Sequence, residues 1–274
     1  MRFTILGSGS TGNAIVVSHD RTHVLIDAGL SARETFRRLI EVGCDPGRLA
    51  GVVVTHEHAD HASGLRVLLK SLRCPVYITE ATRQAYIAER RNVSSDEPKK
   101  RAEALRDRLE LIRSDQHFCI GELDFYPFNV PHDAVDHFGL NIACQGARIA
   151  LLLDCGHITT LVRERLRECA AIVIESNHDR DMLRACTVYP WELKQRIMSR
   201  TGHLSNAAVA EWLRDGFDGT ASHIVLAHLS QRANNPHVAR IAAETALAAR
   251  GSLFQPQTKI IVSSAKDPTP WIEI

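Results

Sequence analysis

Val52-Val53-Val54-Thr55-His56-Glu57-His58-Ala59-Asp60-His61 is an apolar, β-branched run that ends in three imidazoles and a carboxylate. The valines read as a buried strand. The six residues after Thr55 read as the turn at its carboxyl end, because Gly64-Leu65 then opens a helical pattern. Imidazole nitrogen and carboxylate oxygen are ligands for zinc, manganese or iron. Four such groups in six residues exceed what one tetrahedral ion takes from a single turn while leaving a position open for chemistry. The turn is therefore expected to feed two adjacent ions. His-rich tracts that bind metal adventitiously sit in polar, low-complexity segments; this one closes a strand.

Working outward, strand-like segments cover residues 2–6, 14–18, 23–27, 51–55 and 76–78, and helical patterns cover 31–42, 64–72 and 80–91. The first helix opens with Ser31 and, three residues later, Glu34, a capping box that satisfies orphan N–H groups. Downstream, strands are expected at 123–130, 139–144, 148–153, 171–175, 222–227 and 259–262, with helices at 159–169, 190–200, 206–214 and 237–250. Strands and helices alternate in both halves without a clear linker or repeat. That predicts an α/β fold in one domain over residues 1–274. The run Glu97-Pro98-Lys99-Lys100-Arg101-Ala102-Glu103 is dense in charge of both signs. Residues 92–115 are expected to form an exposed insertion, helical after Pro98.

Gly7-x-Gly9-x-x-Gly12 matches the spacing of a dinucleotide fingerprint. That motif needs a helix directly after its last glycine, whose N-terminus holds the pyrophosphate. Asn13-Ala14-Ile15-Val16-Val17, a β-rich run, follows instead. A strand-to-strand turn is expected there, and no nucleotide cofactor.

The chain has 274 residues, 45% hydrophobic and 24% charged, with a formal net charge of +1. No global basic field advertises a polyanion partner, so nucleic acid would have to be held by local patches or by metals. Arg33, Arg37 and Arg38, residues 99–101, and Lys194, Arg196 and Arg200 are the local basic candidates. Seven cysteines, odd in number and without a Cys-x-x-Cys pair, argue against a disulfide framework and point to a reducing, cytoplasmic setting. The N-terminus lacks a signal-peptide core, and no apolar run is long enough to span a bilayer, so no membrane partner is expected.

A two-metal site needs more ligands than the turn supplies. His132 follows Val130-Pro131, Asp154 follows the apolar run 149–153, and His228 follows the apolar run 224–227. A rigid strand end can aim each of them inward. With these residues in place the chain resembles the metallo-β-lactamase superfamily: Asp27 after Ile26, His-x-His-x-Asp-His at 56–61, then His132, Asp154 and His228 in that order. The resemblance implies an αβ/βα four-layer sandwich with two mixed β-sheets and two divalent ions, Zn2+ or Mn2+, at one edge. It implies His56, His58 and His132 on the first ion and Asp60, His61 and His228 on the second. Asp154 and a water would bridge the ions, and Asp27 would support the turn from behind. Ligation by nitrogen and oxygen alone admits either metal.

Gly202-His203-Leu204-Ser205-Asn206 and Ala227-His228-Leu229-Ser230 resemble paired segments of ribonuclease Z, the tRNA 3′-processing member of that superfamily. By this resemblance His203 contacts the scissile phosphate and protonates the leaving oxygen, and His203, Asp60 and Asp154 carry the catalysis. Ser205 or Asn206 would cap a helix whose N-terminus favours an anion. A wider resemblance covers nearly the whole chain. Gly7-Ser8-Gly9-Ser10-Thr11-Gly12-Asn13, Pro131-His132-Asp133-Ala134, Glu175-Ser176-Asn177-His178-Asp179, Tyr189-Pro190, Leu193-Lys194 and the His203 segment are together similar to the YycJ/WalJ-type family. Its members are bacterial proteins of this fold regarded as 5′→3′ DNA exonucleases.

The family implies a dinuclear-metal phosphodiesterase that acts on nucleic acid, DNA in preference to RNA, through a hydroxide bridging the metals. It places Asn177 and His178 near the substrate, with His203, Ser205 and Asn206. The alternative is a small-molecule hydrolase for a thioester, lactone or cyclic phosphodiester on the same metals. A binding protein that keeps its metals without turnover is a third reading. His137 and His157 are candidates for the cleft lining, and nothing in the sequence sets an oligomeric state.

Overall fold

The computed structural model describes residues 1–89, 94–250 and 258–274. The last residues of the expected helix 80–91 and the first of the expected insertion fall at 90–93, outside the described residues. Backbone contacts divide the chain into two compact units. The first comprises Met1–Pro127, Ala134–Phe138 and Ala265–Glu273; the second comprises Phe128–Asp133, Gly139–Ser264 and Ile274.

The chain opens with β1 (Arg2–Gly7), β2 (Ala14–His19), β3 (Thr22–Ile26), α1 (Ala32–Glu41), β4 (Leu49–Val53), α2 (Ala59–Ala62), α3 (Leu65–Leu68), β5 (Val76–Thr79), α4 (Glu80–Ala88), α5 (Glu97–Leu105) and β6 (Leu109–Ile112). It continues with β7 (Phe118–Ile120), β8 (Leu123–Asn129), β9 (Phe138–Cys144), β10 (Ala147–Leu152), α6 (Thr160–Arg165), β11 (Ala171–Glu175), α7 (Arg180–Ala185), α8 (Trp191–Ile197), α9 (Asn206–Asp215), β12 (His223–Ala227), α10 (Pro236–Ala248), β13 (Lys259–Val262) and β14 (Ile272–Glu273). These strands form two seven-stranded sheets, in the orders β14-β1-β2-β3-β4-β5-β6 and β13-β12-β11-β10-β9-β8-β7.

Both sheets are mixed, as expected. In the first, β14 to β3 pair antiparallel and β3 to β6 pair parallel. In the second, β9 and β10 form an antiparallel hairpin and β10 to β13 run parallel. Parallel strands covered on both faces carry unbroken apolar runs rather than alternation. That is why Ala171-Ile172-Val173-Ile174 is wholly buried. Each buried Val or Ile contributes roughly 1.5–3 kcal/mol of transfer free energy. Parallel strands also bring their carboxyl ends to one edge. Asp27 and the turn after Val54 share such an edge in the first unit, and Asp154, Glu175 and His228 share one in the second.

The Gly7–Gly12 segment joins β1 to β2 as a tight turn, with Gly12 N donating to Gly9 O at 2.9 Å. Gly9 and Gly12 take φ of 144° and 147°, which favours glycine.

The stretch expected as an exposed insertion is built into the first unit. Helix α5 carries Pro98 in its first turn, where a missing N–H costs nothing. Arg101 and Leu105 on its inner face are buried, and Arg101 donates to Tyr86 O at 2.6 Å. Strand β6 then forms the edge of the first sheet, paired with β5. The reading overlooked β6 because four residues after a densely charged helix give too few positions for a periodicity. Among the described residues no helix is long and apolar enough to cross a membrane.

Candidate functional site

In the first unit Asp27 ties the histidine turn to the sheet. Strands β3 and β4 lie in register Ile26↔Val53, so both end together. Asp27 is buried, and its carboxylate accepts from Thr55 N at 2.8 Å, from Thr55 Oγ1 at 2.9 Å and from His61 Nδ1 at 2.7 Å. A carboxylate oxygen accepts, so Nδ1 of His61 carries the proton and Nε2 keeps the lone pair. Asp27 holds φ at 61°, a left-handed conformation that costs an L residue about 1–2 kcal/mol. The surrounding hydrogen bonds offset that strain.

The turn after β1 clamps the same histidines. Asn13 N donates to Asp60 O at 2.7 Å, and Asn13 Oδ1 accepts from Gly9 N at 2.9 Å and Ser8 Oγ at 3.0 Å. Its amide nitrogen reaches Asp60 O at 3.3 Å and His61 Nε2 at 2.9 Å. A Cβ on Gly29 would sit 1.7 Å from Asp60 O, so glycine lets the backbones touch. The His56 and His61 rings are buried with centroids 4.2 Å apart, and His58 lies 4.7 Å from His56. His137, a cleft candidate, stacks edge-on 4.5 Å from His56.

In the second unit the atoms of Asp154, Glu175, His203 and His228 that could hold a metal lie within 4.8 Å of one another. His228 directly follows β12 and Asp154 lies two residues past the end of β10, with φ of 53° and 50°. Glu175 is fully buried. Its Oε1 accepts from His203 Nδ1 at 2.7 Å and His228 Nδ1 at 3.0 Å; its Oε2 accepts from Cys155 N at 2.9 Å and Leu204 N at 3.1 Å. Burial works to raise the Glu175 pKa, but the charge and hydrogen bonds of its histidines override it and hold it at about 2. For His203, burial works to lower the pKa. Glu175 and Asp154, whose Oδ1 is 3.2 Å away, override that and push it well above the ordinary histidine range. His203 is thus an imidazolium with Nδ1 held by carboxylates.

The remaining expected residues of this unit sit around that cluster. His132 donates from Nδ1 to Gly202 O at 3.1 Å. His178 is buried, and desolvation lowers its pKa to about 4, so it is neutral at physiological pH. Asn177 Nδ2 donates to His228 O at 3.0 Å. Ser205 caps α9 by accepting from Ala208 N, and Asn206 is buried in a network with Ser176 and Asn234. Asn177, Ser205 and Asn206 are therefore engaged in holding the loops. His157 is half-buried and pairs through both ring nitrogens with Arg200.

Residues 22–229 match the β-lactamase superfamily domain. The chain belongs to the β-lactamase superfamily. It is 33% identical over 251 residues to the exodeoxyribonuclease YycJ of Bacillus anthracis, covering 92% of this chain and 90% of that one. It is 30% identical over 273 residues to the exodeoxyribonuclease WalJ of Streptococcus pneumoniae, covering 100% and 98%. Among solved structures it shares its fold with Zn(2+)-bound PqqB from Methylobacterium extorquens (TM-score 0.74, 18% identity, 100% of both chains). It shares it also with the short form of human tRNase Z (TM-score 0.59, 19% identity, 85% of this chain and 94% of that one). Membership makes this superfamily protein a metal-dependent hydrolase of the metallo-β-lactamase fold.

The donor chemistry of this superfamily member fits divalent ions. His61, His132 and His228 each donate Nδ1–H to an oxygen, of Asp27, Gly202 and Glu175 respectively. All three therefore present the Nε2 lone pair, the orientation that metal-binding imidazoles require.

Sequence reasoning missed Glu175 and Asn13. Glu175 stands where a parallel strand ends, as Asp27, Asp154 and His228 do, and that shared position is the signal that could have found it. Two of the basic DNA candidates prove structural. Arg38 is buried, donating to Leu6 O at 2.7 Å and pairing with Glu34 at 2.6 Å, and Arg101 is buried against Tyr86. Arg37 is paired with Glu34 and Glu41 on an exposed face.

Proposed function

We propose that the chain is a two-metal phosphodiesterase that removes nucleotides from DNA in the 5′→3′ direction in the cytoplasm. Its ligands are His56, His58 and His132 for one ion, Asp60, His61 and His228 for the other, and Asp154 shared. Zinc or manganese bound there would activate the attacking water and neutralise charge on the phosphate.

The chain's own residues do the rest. Asp27, Gly202 O and Glu175 fix the tautomers of three ligands. Protonated His203, its Nδ1 occupied by Glu175, directs Nε2–H to the leaving oxygen. General acid catalysis of this kind contributes about 10²–10⁴ in rate. Ser205 and Asn206 shape the loop that carries His203, and Asn177 and His178 buttress it. The observation that carries the reading is the half-buried His203 imidazole held at 2.7 Å by the buried Glu175 carboxylate, a pairing that a hydrolase acting on a good thiolate leaving group would not need. The relatives named exodeoxyribonucleases and the free thiols of all seven cysteines agree with a DNA substrate and a reducing compartment.

The test is metal analysis of the purified protein, then assays with Zn2+ and Mn2+ on 5′-labelled single- and double-stranded DNA and RNA. Mononucleotide release from the 5′ end is expected. His203→Ala should keep both metals and lose most turnover; loss of metal would refute its role as proton donor. Hydrolysis of thioesters or lactones without cleavage of DNA would replace the reading.

A further inference from the structure

We infer that Trp191 is a stacking platform for a base of single-stranded DNA. The inference rests on DNA being the substrate. Trp191 opens α8 and is 59% exposed, whereas Trp212 is 4% exposed. An indole left in water forgoes the burial that ordinarily places Trp in cores. Met198, just past the end of α8, is 38% exposed. Trp191, Lys194 and Met198 share one side of the helix by their i, i+3, i+7 spacing.

The helix beneath is rigid. Ile197, Leu183 and Ala233 form a buried cluster with Tyr189 and Leu193 packed on it. The helix also runs straight into the candidate site. His203 N donates to Ile197 O at 2.9 Å, and a Cβ on Gly202 would lie 2.2 Å from Arg196 O. From Trp191 to Ile197 a helical rise spans roughly 9 Å.

The charge suits a polyanion rather than a second apolar surface. Residues 179–200 hold five basic side chains and three acidic ones; Asp179 is engaged in capping α7, Arg184 pairs with Asp181, and Arg196 pairs with Asp133. Arg196, beside Asp133, follows the same helix toward the site. An aromatic face beside basic groups tracking a backbone is how non-sequence-specific single-strand binders work.

The test uses a non-cleavable phosphorothioate oligonucleotide and the metal-loaded protein. Binding should quench tryptophan emission in the wild type, and Trp191→Ala should weaken affinity about fivefold or more, the loss of one stacked base. Trp191→Phe, which keeps a ring, should recover most of it. With cleavable DNA, Trp191→Ala should raise KM far more than it lowers kcat. Oligonucleotide affinity equal in Trp191→Ala and wild type would overturn the inference. So would a wild type that self-associates while Trp191→Ala does not, since the face would then be a protein interface. A wild type that hydrolyses bis-p-nitrophenyl phosphate but neither binds nor cuts DNA would instead sink the DNA reading beneath it.

Discussion

The two units hold their histidines by different means. The turn at 56–61 is contiguous and is gripped by backbone: Asn13 N on Asp60 O, glycine at 29 where Asp60 O approaches, and Asp27 bridging Thr55 and His61. The second unit gathers His203 and His228 from segments far apart in the chain onto one carboxylate, Glu175. Most of the first grip is backbone, which fixes position and leaves charge alone; its one carboxylate, Asp27, meets a single imidazole, whereas Glu175 meets two. A buried carboxylate fixes position and also protonation state. The first unit should therefore respond to mutation through metal affinity and stability, and the second through proton transfer as well.

Glu175→Gln tests the second half of that contrast and should have the largest effect. The amide keeps the shape but supplies one neutral acceptor where the carboxylate served two imidazoles and two backbone N–H groups. Turnover on DNA should fall by about 10²–10⁴, the range of general acid work. The sign of the pH effect follows from the raised His203 pKa. The acid form is present below that pKa, so wild-type rate declines as pH rises through it. Removing the Glu175 charge lowers the pKa, and the decline should move to lower pH. In metal-free protein the pair's stabilisation is full between the ordinary glutamate and histidine values, is lost as pH falls toward about 2, and is lost as pH rises through the raised histidine value. A pH–rate profile that does not shift in Glu175→Gln would break the contrast.

Asp27→Asn is the matching change in the first unit, and its effect should be smaller. The amide cannot accept from His61 and from both Thr55 donors without turning its own N–H₂ toward one of them. Metal affinity should drop about 10- to 100-fold by competitive chelation, the usual cost of losing a carboxylate behind a ligating imidazole. The high-pH limb of the rate profile should stay in place. If Asp27→Asn moved that limb as far as Glu175→Gln does, the two units would not differ in kind.

This difference also explains what the sequence made legible. The turn could be read directly because its ligands are neighbours in the chain and its strand is a plain apolar run. Asp154 and His228 were reachable because each interrupts an apolar run at its end. Glu175 follows such a run too, but a glutamate at a strand end is ordinarily a solvated boundary residue. Only the parallel register Glu175↔Ala227 beside His228 makes it the centre of a network. Asn13 reads as the first residue of a β-rich run, yet its contact with Asp60 and His61 joins positions 47 and 48 residues apart. No local pattern encodes that. Residues 94–115 misled for the converse reason: Arg101 counts as surface charge in a sequence, while its guanidinium is buried against Tyr86.

Asn13→Ala should give the smallest effect and the sharpest division within the first unit. Asn13 meets His61 at Nε2, the atom that a metal would take, whereas Asp27 meets it at Nδ1. Loss of the Asn13 amide therefore leaves the Nδ1 support of His61 intact and removes one long hydrogen bond, 3.3 Å, to the Asp60 carboxylate. It leaves Gly9 N and Ser8 Oγ without their acceptor in a buried turn, at about 1–3 kcal/mol. For a chain of this size each kcal/mol lowers Tm by roughly 2–4 °C. Thermal melts should show that loss while metal content per protein stays at the wild-type value. If metal content fell with stability, the amide's hold on the Asp60 carboxylate would be what sets the ligand geometry, and Asn13 would belong with Asp27 as a residue acting through the metal ligands.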